Sequence, residues 1–121
     1  EAGVPAGVIA YIPGGAETRN IIDAAIFAHM APHAILINTA RGDVVDEGAL
    51  IDALEAGRIG GAGLDVFAGE PHVSQRLRDA PNTVLLPHLG SATRETREAM
   101  GMRALANLDD WREGRTPRDS L

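Results

Sequence analysis

The sequence predicts an α/β fold built on a parallel sheet of about four strands, and three features carry that reading. Short, continuous apolar runs alternate with stretches of helical periodicity. The runs lack the polar-apolar alternation of a strand with one wet face, so both faces of the sheet are expected to be covered. Turn-forming and capping residues fall between them at the spacing that crossover connections need.

The elements follow in order. Val8 to Ile12 reads as a buried strand that ends at Pro13-Gly14-Gly15. Asp23 is placed to cap a short helix from Ala24 to Met30, and Pro32 stops it. Ala34 to Asn38 is the second strand. Asp46 caps a helix that carries Leu50, Ile51 and Leu54 on one face, with Gly57 as its terminator. Gly61 to Val66 is a third strand, whose small residues suggest close backbone packing. Val84 to Pro87 is the fourth, and the two Pro residues between Phe67 and Thr83 leave room for only a short helix. Ser91 is placed to cap a long last helix to about Glu113, with Leu105, Leu108 and Trp111 facing inward and Gly114 closing it. Thr116 to Leu121 reads as a loose tail.

Composition narrows the function classes. The chain has 121 residues, a net charge of −6 and 45% apolar residues. All 11 basic residues are Arg, and they are interspersed with acids, as in Arg94-Glu95-Thr96-Arg97-Glu98. That is the pattern of a solvated helix face rather than of a basic nucleic-acid footprint, so no nucleic-acid partner is expected. No apolar run approaches the ~20 residues of a membrane span. The absence of Cys excludes disulfides, thiolate metal sites and a Cys nucleophile, and no metal site is expected. Without a basic, then apolar, leader at Glu1, a cytoplasmic location is the expectation.

Polar residues recur at one place in this scheme. Asn38-Thr39-Ala40-Arg41-Gly42 follows the second strand, Asp65 to Pro71 ends and follows the third, and Pro87-His88-Leu89-Gly90-Ser91 follows the fourth. In a parallel sheet these segments leave at the same edge, the carboxyl ends of the strands, where open α/β sheets bind ligands. Arg41, Glu70 and His88 are therefore able to converge. A guanidinium grips a carboxylate through two parallel hydrogen bonds. An imidazole exchanges protons near neutrality, and a carboxylate beside it fixes its tautomer. Carboxylate grip plus proton transfer suits a 2-hydroxy or 2-oxo acid, and the hydride would have to come from a cofactor. Each residue also has a plainer reading: Arg41 as a surface ion-pair partner, Glu70 as a loop residue before Pro71, His88 as part of a structural turn. His29 and His33 precede the second strand at the opposite edge, and His72 lies in a loop; none of the three is assigned a role.

At these segments the sequence resembles a known family. Ile37-Asn38-Thr39-Ala40-Arg41-Gly42-Asp43-Val44-Val45-Asp46-Glu47 resembles the Arg motif of the D-isomer-specific 2-hydroxyacid dehydrogenases. Gly63-Leu64-Asp65-Val66-Phe67 with Glu70-Pro71 resembles their Glu motif, and Leu86 to Thr93 their His motif. The resemblance runs from about Ile9 to Gly114. It implies the second half of a Rossmann-type doubly wound sheet, with residues 1–114 a partial NAD(P)-binding domain and 115–121 a tail. It implies Arg41, Glu70 and His88 as the catalytic residues, in an enzyme of the glyoxylate/hydroxypyruvate-reductase type. It further implies that Thr39, Ala40, Arg41 and Asp65 line the nicotinamide end of NAD or NADP, with His88 and Gly90 nearby, and that Pro13 approaches the adenosine side. A small 2-oxo or 2-hydroxy acid is the implied substrate, and a homodimer the implied assembly of the complete protein.

The sequence also departs from the family. The Gly-x-Gly-x-x-Gly pyrophosphate loop does not occur; Gly60-Gly61-Ala62-Gly63 enters a strand instead of leaving one for a helix. The acidic residue that holds the adenosine ribose and most of the substrate domain are likewise not found, and Tyr11-Ile12-Pro13 stands where the family usually has a His before the Pro. A chain of this kind is expected to be inactive alone and, without the helices of the other half of the domain, to leave an apolar face of the sheet partly wet. The alternative from another class is a non-catalytic module, serving association or weak nucleotide contact.

Overall fold

The computed structural model describes residues 7–120. Gly3 to Ala6, ahead of the first predicted strand, and Leu121 of the tail lie outside the described residues. The chain forms two compact units, Glu1–His88 and Leu89–Leu121, which are taken in turn.

The first unit holds four parallel strands in the order β1-β2-β3-β4. They are β1 (Gly7–Ala10), β2 (Ile35–Asn38), β3 (Gly61–Leu64) and β4 (Thr83–Leu85). Between them run α1 (Ala24–His29), α2 (Glu47–Glu55) and α3 (Gln75–Asp79). The caps are local and legible. Asp23 accepts hydrogen bonds from the N–H groups of Ala25 and Ile26, Asp46 from Ala49, and Ser74 from Leu77. Gly57, at φ +60°, supplies the left-handed residue that ends α2.

The strands are shorter than the apolar runs that announce them. β1 pairs Gly7–Ala10 with Ile35–Asn38, so Tyr11 and Ile12 run past the end of the ladder. Val66 and Pro87 similarly lie beyond β3 and β4.

The two faces of the sheet differ: helices cover one and the other is partly wet, as expected for this chain alone. Ala10, Leu36, Ala62 and Leu64 lie on one face and join Phe27, Leu50, Ile51, Leu54 and Leu77 of the three helices in the core. On the other face Ile9 is 72%, Ile35 48% and Val84 62% exposed. The cause is topological. A crossover between parallel strands is right-handed, and here every crossover steps the same way along the sheet, so all three helices fall on one side. Covering the second face requires strands wound in the opposite direction. A further bridge, Ile22 to Val45, ties the segment before α1 to the loop after β2.

The second unit is dominated by α4 (Arg94–Arg112), capped by Thr93, whose hydroxyl accepts from the Thr96 N–H. Ser91 is therefore not the cap; Ala92 N–H closes a turn onto the Leu89 carbonyl first, and the helix starts after it. Leu105, Leu108 and Trp111 are exposed, not inward. Their spacing marks an apolar stripe but does not say what lies over it. Gly114, at φ +72°, ends the helix. The tail is not loose over its described residues. Arg115 and Arg118 pair with the buried carboxylate of Asp110 at 2.7 and 2.8 Å, and the Asp119 N–H donates to the Asn107 side chain at 3.0 Å. A tail rich in Arg and Asp folds back here because α4 presents their partners.

Candidate active site

All four strands run the same way, so the loops after β2, β3 and β4 leave at one edge. Arg41 leaves β2 through a turn fixed by Asn38. The buried Asn38 amide accepts from the Ala40 N–H at 3.0 Å and donates to the Arg41 carbonyl at 2.9 Å. Arg41 itself is extended, and a short 3-10 turn, Gly42–Val44, follows it. Its guanidinium is exposed and donates to the Ala40 carbonyl at 2.7 Å.

Glu70 and His88 meet directly. His88 Nδ1 and Glu70 Oε2 are 2.8 Å apart. The other Glu70 oxygen, Oε1, accepts from the Phe67 N–H at 2.9 Å. The carboxyl is held below its ordinary range, first by the hydrogen bond from His88 and then by the Phe67 N–H, with the charges of His88 and Arg41 adding to it, while partial burial opposes. The charge of Arg41 thus reaches Glu70, as the smallest of these causes. Because Nδ1 faces Glu70, Nε2 of His88 is the nitrogen left to exchange a proton with a ligand. His88 also holds φ +54°, the left-handed region. A side chain there costs about 1–2 kcal/mol, and such strain collects at functional sites.

The remaining sequence-predicted residues fall into two depressions. Pro13, Thr39, Ala40 and Arg41 line a cleft of about 470 Å³ with Tyr11, Ile12 and Gly14, between the ends of β1 and β2. Thr39 and the buried Asp65 line a larger apolar trough on the open face of the sheet. Gly90 belongs to the second unit. The cleft stands at the carboxyl ends of β1 and β2, the edge at which open α/β sheets bind ligands. Among the described residues, no cluster of His, Asp or Glu could hold a metal ion, and no helix is long and apolar enough to cross a membrane.

Three residues of this region escape a reading based on side-chain chemistry. Asn38 shapes the Arg41 loop. Glu47, in the first turn of α2, accepts from the Ala68 N–H at 3.2 Å. Gly42 lies against the Phe67 carbonyl so closely that a Cβ would sit 1.9 Å from its oxygen. An Asn ending an apolar strand, followed by a polar turn, is the one signal available beforehand, since Asx side chains bond their own backbone two residues on.

A parallel sheet with these groups at its carboxyl edge defines the second half of a dinucleotide-binding α/β domain. Comparison with known proteins makes the class specific. Residues 7–90 match the family model of the D-isomer specific 2-hydroxyacid dehydrogenase, NAD binding domain, and the chain belongs to that family. It is 48% identical over 107 residues to a glyoxylate reductase of Thermococcus litoralis, covering 88% of this chain and 32% of that protein. It is 54% identical over 98 residues to glyoxylate/hydroxypyruvate reductase B of Pectobacterium carotovorum, covering 80% and 31%. Among solved structures, the NADPH-dependent glyoxylate/hydroxypyruvate reductase from Sinorhizobium meliloti, in complex with NADP and malonate, superposes with a TM-score of 0.83 at 45% identity, covering 87% of this chain and 33% of that one. The chain thus spans about a third of the length of its relatives. An NAD-binding domain is the family's description, and either NAD or NADP fits it.

Proposed function

We propose that this chain is the C-terminal part of an NAD(P)-dependent dehydrogenase that interconverts a 2-oxo acid of the glyoxylate or hydroxypyruvate type with its D-2-hydroxy acid. The observation that carries the proposal is the Glu70–His88 pair, 2.8 Å apart at the strand ends, with the charge of Arg41 reaching Glu70. Arg41 takes the substrate carboxylate and 2-oxygen with its forked donors. His88 gives a proton from Nε2 to the carbonyl oxygen during reduction and takes it back in oxidation. Glu70 holds the His88 tautomer and the orientation of its ring. The nicotinamide, when bound, supplies and accepts the hydride. Residues 39–41, Asp65 and Gly90 orient its reactive end, and Pro13 stands on the adenosine side.

In this reading residues 1–114 form the C-terminal half of the NAD(P)-binding domain, 115–121 the tail, and the complete enzyme is a cytoplasmic homodimer. The isolated chain is inactive, because the sequence contains no glycine-rich loop to hold a pyrophosphate. The test is NADH and NADPH oxidation with glyoxylate and hydroxypyruvate, by the chain and by the complete dehydrogenase that carries it. The chain should be silent and the complete enzyme active. His88→Ala should lower turnover by about a hundredfold or more, the usual weight of a general acid. Near-normal turnover in that variant would remove the mechanism.

A further inference from the structure

Asn38 ends β2 with a side chain that is 1% exposed. A polar amide in a core is costly unless its groups are bonded, and every polar group of Asn38 that faces the loops has a partner. Oδ1 accepts from the Ala40 N–H at 3.0 Å, and Nδ2 donates to the Arg41 carbonyl at 2.9 Å. Its main-chain carbonyl accepts from the Asp65 N–H at 3.0 Å. One buried residue therefore holds the backbone on both sides of Arg41 and the start of the segment that leads to Glu70.

The Arg41 side chain does nothing comparable for itself. It is exposed, and its guanidinium donates to the carbonyl of the preceding residue. The point from which that flexible side chain departs is fixed by the backbone, and the backbone from 39 to 41 is fixed by Asn38. A misplacement of about 1 Å in a substrate-gripping group is enough to cost roughly a hundredfold in rate.

We infer that Asn38 is the positioning residue for Arg41: a buried amide latch that sets where the substrate-binding guanidinium begins. The inference deepens the proposed function and rests on Arg41 being the carboxylate grip. It assigns no contact between Asn38 and substrate.

The test uses Asn38→Leu, because an apolar side chain of similar shape suits the core while removing both latch bonds. In the 121-residue chain, amide hydrogen exchange should show Leu36 and Leu64 still protected and Ala40 exchanging about tenfold faster or more, the loss of roughly one hydrogen bond. In the complete dehydrogenase, KM for the 2-oxo acid should rise by about tenfold, with cofactor KM less affected. In an Arg41→Ala background the same substitution should add little, since residues that act through one another are not additive. Full additivity with Arg41→Ala, or unchanged exchange at Ala40, would overturn the latch. A wild-type enzyme with no turnover of any 2-oxo acid would instead sink the functional reading and the catalytic meaning of the latch with it, while exchange at Ala40 would still decide the hydrogen bond.

Discussion

Glu70 holds His88 with one carboxylate oxygen and the Phe67 N–H with the other, at 2.8 and 2.9 Å. The second bond stops the carboxylate from rotating away from the ring, so the loop after β3 carries a preset partner for the loop after β4.

That pairing gives a pH-dependent contribution of definite sign. The Glu70 pKa in the fold lies below its ordinary value of 4.5, chiefly through the His88 hydrogen bond. A depressed carboxyl stabilises the fold fully above its unfolded value, and the contribution is lost as pH falls through the folded value. Glu70→Gln should therefore be less stable than wild type at neutrality and equal to it in strong acid. Side-chain exposures of 47% for His88 and 34% for Glu70 keep the effect to about 0–1 kcal/mol, shrinking in salt. Urea denaturation of both proteins across pH checks this. A gap that widens in acid would contradict the assignment.

The left-handed backbone of His88 separates fold from chemistry. His88→Ala and His88→Gly both remove the imidazole, but only glycine relieves the φ of +54°. The glycine variant should be the more stable by about 0.5–1 kcal/mol, after its extra unfolded-state entropy is counted. Thermal denaturation of the two variants measures it. Equal stabilities would mean that the backbone relaxes out of the left-handed region once the ring is gone.

Much of this molecule was legible from residue order. The alternation of apolar runs with capped helices gives the parallel sheet, and from that the common edge of Arg41, Glu70 and His88 follows without further information. What escaped depends on partners that sequence order does not record. Leu105, Leu108 and Trp111 show an apolar stripe whether or not anything covers it. The tail read as loose because Arg115, Arg118 and Asp119 look like solvated charges until α4 brings Asp110 and Asn107 beneath them. Asn38 and Gly42 carry no reactive group, so a search for chemistry passes over them.

The folded-back tail makes its own prediction. Asp110 is 5% exposed and its two oxygens serve Arg115 and Arg118, which hold its carboxyl far below the usual range. Asp110→Ala removes the anchor of both. Limited proteolysis with trypsin should then cut after Arg115 or Arg118 sooner than in wild type, with cleavage elsewhere unchanged, because release of a segment exposes its backbone. The same cutting rate in both proteins would show that the contacts of Asp119 suffice, its carboxylate accepting from Arg103 Nε at 2.7 Å and its N–H donating to Asn107.

The contact of Gly42 with Phe67 sets the spacing between the Arg41 loop and the Glu70 loop, and a single methyl group tests it. A Cβ at Gly42 would stand 1.9 Å from the Phe67 oxygen and 2.6 Å from the Ala68 nitrogen, all backbone atoms. No side-chain rotation relieves such a clash, so one loop must move. Gly48 is the matched control: it lies in α2, and a Cβ there meets nothing nearer than 3.4 Å. Gly48→Ala should be neutral or stabilise by about 0.5–1 kcal/mol, the ordinary helix preference for alanine. Gly42→Ala should cost about 1–3 kcal/mol, the usual range for overpacking. For a domain of this size that lowers Tm by roughly 4–8 °C per kcal/mol. Displacing the Phe67 peptide should also loosen the Phe67 N–H from Glu70, so amide exchange at Phe67 should rise in Gly42→Ala and not in Gly48→Ala. If both variants melt with wild type and Phe67 stays protected, the two loops are not held in register by this contact, and the spacing of Arg41 from the Glu70–His88 pair must come from Asn38 and Glu47 alone.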